Sequence, residues 1–127
     1  MSPSQKCILV VDDEPDTADM FAEMMKLNGY RVFKSNDGAQ ALRLVARVKP
    51  DLVMLDIMLP DVSGLEVLRF MRRDPRLEQI PVLVVSARGK PDEIQAGLKA
   101  GANLYLTKPV SYGELHRAVE EATGDVN

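Results

Sequence analysis

The sequence predicts a doubly wound α/β domain: a five-stranded parallel sheet in the order 2-1-3-4-5, with five helices covering both faces. Three observations carry this. Five short strand-like segments, four of them apolar runs and one an alternating charged stretch, are each followed by a segment whose apolar residues recur at helical spacing. Strict alternation of that kind gives parallel strands with right-handed crossover helices, and strands buried on both faces read as continuous apolar runs. At 127 residues the chain has room for one core and no second domain. For five strands the common order reverses direction between strands one and three, and ligands bind outside the carboxyl ends of the strands at that reversal.

The elements follow in order. Cys7 to Val11 (CILVV) is a buried first strand, and Pro15 suits the first turn of a helix whose Ala18, Phe21 and Met25 point inward before Gly29 stops it. Arg31 to Ser35 alternates and carries charge, as an edge strand does; Asp37 then caps a second helix with Leu42, Val45 and Ala46 on one face, ending before Pro50. Leu52 to Leu55 is the third strand. Ser63 and Glu66 form an S-x-x-E capping box for a helix reaching Met71. Pro81 to Val85 (PVLVV) is the fourth strand, and Pro91 opens a helix with Ile94 and Leu98 inward and Gly101 after its end. Leu104 to Leu106 is a short fifth strand, followed by a second capping box, Ser111 with Glu114, and a helix with Leu115, Ala118, Val119 and Ala122 inward. The final Gly-Asp-Val-Asn reads as a frayed end.

Composition narrows the function. A chain 46% apolar and 28% charged folds as an ordinary globular domain. A net charge of -3 argues against direct nucleic-acid binding, which needs a basic face. With one cysteine, no N-terminal apolar signal segment and no apolar run long enough to span a bilayer, the sequence reads as cytoplasmic and free of membrane contact. Cys7 opens an apolar run and reads as a buried core thiol, while Met20, Met24, Met25, Met54, Met58 and Met71 read as core and groove filling. His116 falls off the apolar stripe of its helix and reads as solvent-exposed.

The stretch DLVMLDIMLPD, Asp51 to Asp61, holds a lone acid inside an apolar run. An unpartnered carboxylate at Asp56 would cost several kcal/mol, roughly, if buried. The predicted topology supplies company: Asp56 ends strand three at the reversal, where Asp12 and Asp13 follow strand one. Asp12, Asp13 and Glu14 serve equally well as helix-capping acids, and Asp56 alone as a turn cap. Three converging carboxylates, however, repel one another and need a cation. The candidate ligands are all hard oxygens, which suits Mg²⁺ or a similar ion such as Mn²⁺ rather than zinc. Lys108 and Ser86 end strands five and four at the same edge, and with a divalent ion and Lys108 the acidic site becomes neutral enough to admit a phosphoryl group. A carboxylate can attack phosphorus to give an acyl phosphate, a step that rests on positioning and charge neutralisation.

The motifs VVDDEP, LVMLDIMLPDVSGLE, VLVVSAR and GANLYLTKP, in that order and spacing, resemble the receiver domains of two-component response regulators, with a CheY-like, flavodoxin-like fold. The resemblance runs from about Lys6 to Ala122, within a single receiver domain of residues 1–127. It implies that Asp56 is the phosphoacceptor and that Asp12, Asp13 and Asp56, with the backbone carbonyl of Met58, bind Mg²⁺. It further implies that Ser86 is the switch hydroxyl, Tyr105 the aromatic residue that follows it, and Lys108 the phosphate-pairing lysine. The Lys108-Pro109 bond is a candidate cis peptide. The implied partners are a histidine kinase or phosphotransfer protein as donor and a downstream effector protein or domain, with the signal surfacing on helix four, strand five and helix five. Such a domain is a phosphorylation-controlled switch, not an enzyme acting on other substrates.

Tyr105 is equally well explained as packing against a neighbouring helix. Met58 and Arg88 are departures that tend to influence acyl-phosphate hydrolysis in this family: apolar Met58 cannot orient an attacking water, and the two together predict a longer-lived acyl phosphate. Rival readings are a flavodoxin-like electron carrier, which DDEPD serves poorly because it offers carboxylates to the flavin phosphate, and an adaptor that keeps the fold without phosphorylation. A free-standing hydrolase is weaker still, since no second acid-base pair is evident.

Overall fold

The computed structural model describes residues 5–124, so most of the predicted frayed end, residues 125–127, lies outside the described residues. The elements alternate throughout: β1 (Cys7–Val11), α1 (Pro15–Leu27), β2 (Arg31–Ser35), α2 (Gly38–Val48), β3 (Leu52–Leu55), α3 (Gly64–Arg73), β4 (Val82–Ser86), α4 (Pro91–Ala100), β5 (Leu104–Thr107) and α5 (Tyr112–Thr123). The strands pair in parallel in the order β2-β1-β3-β4-β5, with Val11 beside both Ser35 and Leu55 and Ser86 beside Thr107. This is the CheY-like order expected from the alternation, and β2, the charged strand, is an edge.

Because successive strand residues face opposite ways, the sheet divides the core in two. Leu9, Val11, Val53, Leu55, Val82 and Val84 pack under α2 and α3; Ile8, Val10, Met54, Leu83 and Val85 pack under α1 and α5, against Phe21, Met25, Leu115 and Val119. Each fully buried Leu or Met stabilises the fold by roughly 1.5–3 kcal/mol. Cys7 is buried, and burial raises its thiol pKa. Among the described residues no helix is long and apolar enough to cross a membrane.

Several expected details differ. In α4 the inward position is Gly97 rather than Leu98, which is 39% exposed, while Ile94 is only half-buried. Space explains it: a Cβ at Gly97 would lie 2.7 Å from the Tyr105 ring, so the glycine lets α4 rest on that ring. On α2 the buried residues are Gly38, Ala41 and Val45, with Leu42 and Ala46 at the half-buried flank. Ser63 accepts a hydrogen bond from the Leu65 amide, while Glu66 turns to Arg69, 3.5 Å away, so the box is one-sided there. At α5 both halves of the Ser111–Glu114 box form. Met20 and Met58 are exposed rather than core, at 47% and 45%. His116 is half-buried, stacked on Tyr112 and 3.5 Å from Glu120.

Candidate functional site

The sheet's hydrogen-bond ladder continues one residue past the strand ends, and that residue is in each case a charged one. The Asp12 amide donates to the Ser35 carbonyl (3.0 Å), the Asp56 amide to the Val11 carbonyl (3.0 Å), and the Lys108 amide to the Ser86 carbonyl (2.9 Å). Three backbones are thus set in register by neighbouring strands before any side-chain contact is made. The apolar runs preceding them anchor the strands, and the polar residues begin where the sheet opens into the crevice between β1 and β3.

Asp12 and Asp56 are buried, and Asp13 stands exposed at the rim. One carboxylate oxygen from each of the three lies within 4.8 Å of the others. Lys108 Nζ donates to Asp12 Oδ2 (2.7 Å) and to Asp56 Oδ2 (2.8 Å). Burial alone would lower the Lys108 pKa, but these two carboxylates outweigh it and hold the ammonium above its usual range. The remaining oxygens of the buried pair are fixed by backbone: Asp12 Oδ1 accepts from the Glu14 amide (3.0 Å), and Asp56 Oδ1 from the Met58 amide (2.9 Å). The lone acid of the apolar run therefore has two partners, one ammonium and one N–H.

Three carboxylates against one ammonium leave two uncompensated negative charges in one crevice. The oxygen-only donor set fits a hard cation that keeps some of its waters, of the Mg²⁺ class, and gives zinc no sulfur or nitrogen ligand. These residues could hold a metal.

Ser86 is fully buried, its Oγ accepting from the Arg88 amide (3.2 Å). The Tyr105 hydroxyl donates to the Arg88 carbonyl across the β4–α4 turn, and its ring rests against Gly97. Desolvation, then the charge of Glu93, raises the Tyr105 pKa. Tyr105 thus packs on a helix and also bonds the turn that carries Ser86 and Arg88. The Arg88 guanidinium pairs with Glu93 (3.1 Å) on α4 rather than turning to Asp56. Met58, Arg88, Glu93 and Tyr105 line a groove of about 680 Å³ that opens beside Asp13. The Lys108-Pro109 bond is cis.

Three contributors were not apparent from the sequence. Glu93, in the first turn of α4, pairs with Arg88; Asn36 donates to the Asp12 carbonyl (2.9 Å); and Asp61 accepts from the amides of Gly38 (2.8 Å) and Ala39 (3.0 Å). Asn36 and Asp61 act across more than twenty positions, and only the composition of a turn, Asn-Asp-Gly or Pro-Asp, hinted at either; Glu93 reaches back only to Arg88.

Comparison with known proteins points to one family. The family described as response regulator receiver domain matches residues 8–120. The chain is 40% identical over 110 residues to the phosphate regulon transcriptional regulatory protein PhoB of Pseudomonas aeruginosa, covering 87% of this chain and 48% of that protein. It is 44% identical over 108 residues to the response regulator MprA of Mycobacterium leprae, covering 85% of this chain and 46% of that one. The chain thus spans about half the length of these curated relatives. Among solved structures, the receiver domain of a sensor histidine kinase from Pseudomonas aeruginosa, with a magnesium ion coordinated in its active-site cleft, superposes with a TM-score of 0.88 at 30% identity, covering 95% of this chain and 99% of that one. A Francisella response regulator receiver domain superposes with a TM-score of 0.88 at 29% identity, covering 97% and 100%.

Proposed function

The chain belongs to the response regulator receiver domain family, and on that premise we propose that it is a Mg²⁺-dependent phosphoacceptor whose Asp56 takes a phosphoryl group from phosphohistidine. The observation that carries the reading is the pairing of buried Asp56 with Lys108 beside the Asp12 and Asp13 carboxylates. Asp12, Asp13 and Asp56 would hold Mg²⁺ (or Mn²⁺), with the Met58 backbone carbonyl as a further oxygen. When bound, the ion supplies a divalent charge that offsets the crevice's excess negative charge.

An Asp56 carboxylate oxygen attacks phosphorus, the P–N bond to the donor imidazole breaks, and the imidazole leaves with the bonding pair and a proton from water. Lys108 exchanges its hydrogen bond with Asp56 Oδ2 for one to a phosphoryl oxygen, keeping its charge within the crevice. The Ser86 hydroxyl, at the buried end of β4, takes the same task for another phosphoryl oxygen by donating a hydrogen bond. Its Oγ accepts from the Arg88 amide here, while its O–H can donate to a phosphoryl oxygen, a contact that draws the side chain toward the phosphoryl group. Drawing Ser86 inward loosens the turn that Tyr105 bonds at the Arg88 carbonyl, which couples the site to α4 and β5. The changed surface of α4, β5 and α5 is read by a downstream effector protein or domain. The donor is a histidine kinase or phosphotransfer protein, and the relay runs in the cytoplasm.

A backbone NMR titration with beryllium fluoride and Mg²⁺, which together mimic an aspartyl phosphate, tests site and switch at once. The expected result is a Mg²⁺-dependent shift at Asp56 that spreads through Ser86–Gly89 to Tyr105 and α4. Shifts confined to the crevice would overturn the switch; no binding would favour a phosphorylation-independent adaptor.

A further inference from the structure

Helix α2 is held at its start by two aspartates, and only one is its own. Asp37, the N-cap, accepts from the Gln40 amide (2.7 Å), which is the usual local cap. The two preceding amides, Gly38 and Ala39, donate one to each carboxylate oxygen of Asp61, which lies 23 and 22 residues further along the chain. The Gly38 amide first, then those of Val62 and Ala39, hold the Asp61 carboxyl below the usual carboxylate range. Two-oxygen contact fixes both the position and the plane of the carboxylate, so the loop between β3 and α3 is pinned to the helix start. Contact between backbones says the same independently: a Cβ at Gly38 would lie 2.7 Å from the Val62 carbonyl oxygen and 2.8 Å from the Val62 Cβ.

The pinned loop is the one that orients the phosphoacceptor. The Met58 amide within it donates to Asp56 Oδ1, and the Leu59 and Gly64 amides both donate to the Ile57 carbonyl. At the other end of the β2–α2 turn, Asn36 donates to the Asp12 carbonyl and the Ser35 hydroxyl to the Asp37 carbonyl (each 2.9 Å). The turn is therefore a strut between the two loops that carry the acids. We propose that Asp61 is a positioning residue for the metal site: seated on α2, it holds the Asp56–Met58 loop in place against the Asp12–Asp13 loop, so that Mg²⁺ affinity depends on a side chain outside the acidic cluster. This rests on the reading that Asp12, Asp13 and Asp56 bind Mg²⁺.

Calorimetric Mg²⁺ titration of the intact chain tests it, with urea unfolding of each variant alongside. Asp61→Ala should weaken Mg²⁺ binding roughly tenfold, the scale seen for residues that orient metal ligands from behind. Gly38→Ala, which wedges the helix from the loop without changing charge, should weaken it in the same direction. Asp37→Ala removes a cap from the same helix end but not the tie, and should leave the affinity within about twofold of the wild type. Wild-type affinity in Asp61→Ala overturns the proposal. So does loss in Asp61→Ala with none in Gly38→Ala, which would mean simple charge attraction, or equal loss in Asp37→Ala, which would mean general loosening of the helix. Absence of Mg²⁺ binding in the wild type itself would instead remove the metal reading on which this rests.

Discussion

Replacing Lys108 with methionine keeps much of the side chain's bulk and removes its charge. In the structure the Asp12, Asp56 and Lys108 side chains are 2%, 5% and 19% exposed, with contacts of 2.7 and 2.8 Å. Each contact is about 6 kcal/mol of Coulomb attraction at an effective dielectric near 20. Desolvation of the three groups offsets most of that, and deleting one partner of a buried ion pair costs about 3–5 kcal/mol. An upper bound comes from titration, because a carboxyl that costs more than about 4 kcal/mol to keep ionised at pH 7 takes up a proton instead. The expected loss is therefore about 3 kcal/mol at pH 7 without metal, or roughly 10 °C in Tm for a domain of this size. Near pH 5 the same bound falls to about 1.5 kcal/mol, so the deficit should shrink on acidification. Saturating Mg²⁺ should stabilise the variant more than the wild type, since it meets more uncompensated negative charge. Thermal and urea unfolding at both pH values, with and without Mg²⁺, measures all three effects. A variant as stable as the wild type at pH 7, or a deficit that widens toward pH 5, would refute the electrostatic reasoning.

The Arg72 guanidinium donates to the Gly101, Glu78 and Ile80 carbonyls and to Asn103 Oδ1 at 2.8–3.0 Å, joining α3 to the ends of β4 and α4. Arg72→Met should lower stability by about 2–3 kcal/mol, measured by the urea midpoint, and Arg72→Lys should not restore it because an ammonium lacks the planar fork. The carboxyls of Asp61, Glu93 and Glu114 are held below their usual range chiefly by the Gly38 amide, the Arg88 side chain and the Ser111 amide respectively. Their contribution, modest because solvent screens them, is present above the ordinary carboxylate pKa and is lost as pH falls through their lowered values, so the urea midpoint should fall below about pH 4; a flat profile there would contradict it. Met58→Asn, which puts a polar group beside Asp56 where an exposed methionine now stands, should shorten the lifetime of the acyl phosphate several-fold by orienting water. An unchanged lifetime, followed by loss of the phosphoryl group after donor removal, would sink the reading that apolar Met58 slows hydrolysis by failing to orient water.

Alternation of strand-like segments with helical spacing was enough to place every strand and helix, because four of the five strands are runs with no charged residue until the sheet ends and the other, β2, shows the alternation of an edge. Asp12, Asp56 and Lys108 were legible for that reason: each is the first charged residue after such a run. What periodicity misled was the thinly attached helix. Ile94 and Leu98 have the spacing of an inward stripe, yet α4 rests on the Tyr105 ring through Gly97, and a glycine contributes nothing to an apolar pattern. The exposed Met20 and Met58 show the same limit, since hydrophobicity alone does not distinguish core from groove. Asp61 and Asn36 were invisible as site residues because their hydrogen bonds span more than twenty positions, and a turn-forming aspartate looks the same whether it caps its own turn or a distant helix.

The most direct test is the intact mass of the protein after incubation with acetyl phosphate, in Mg²⁺ and in EDTA, beside an Asp56→Asn variant. A gain of one phosphoryl group in Mg²⁺, abolished by EDTA and absent from the variant, is the predicted result. A gain that persists in Asp56→Asn, or none in the wild type under conditions where Mg²⁺ binding has been measured, would contradict it.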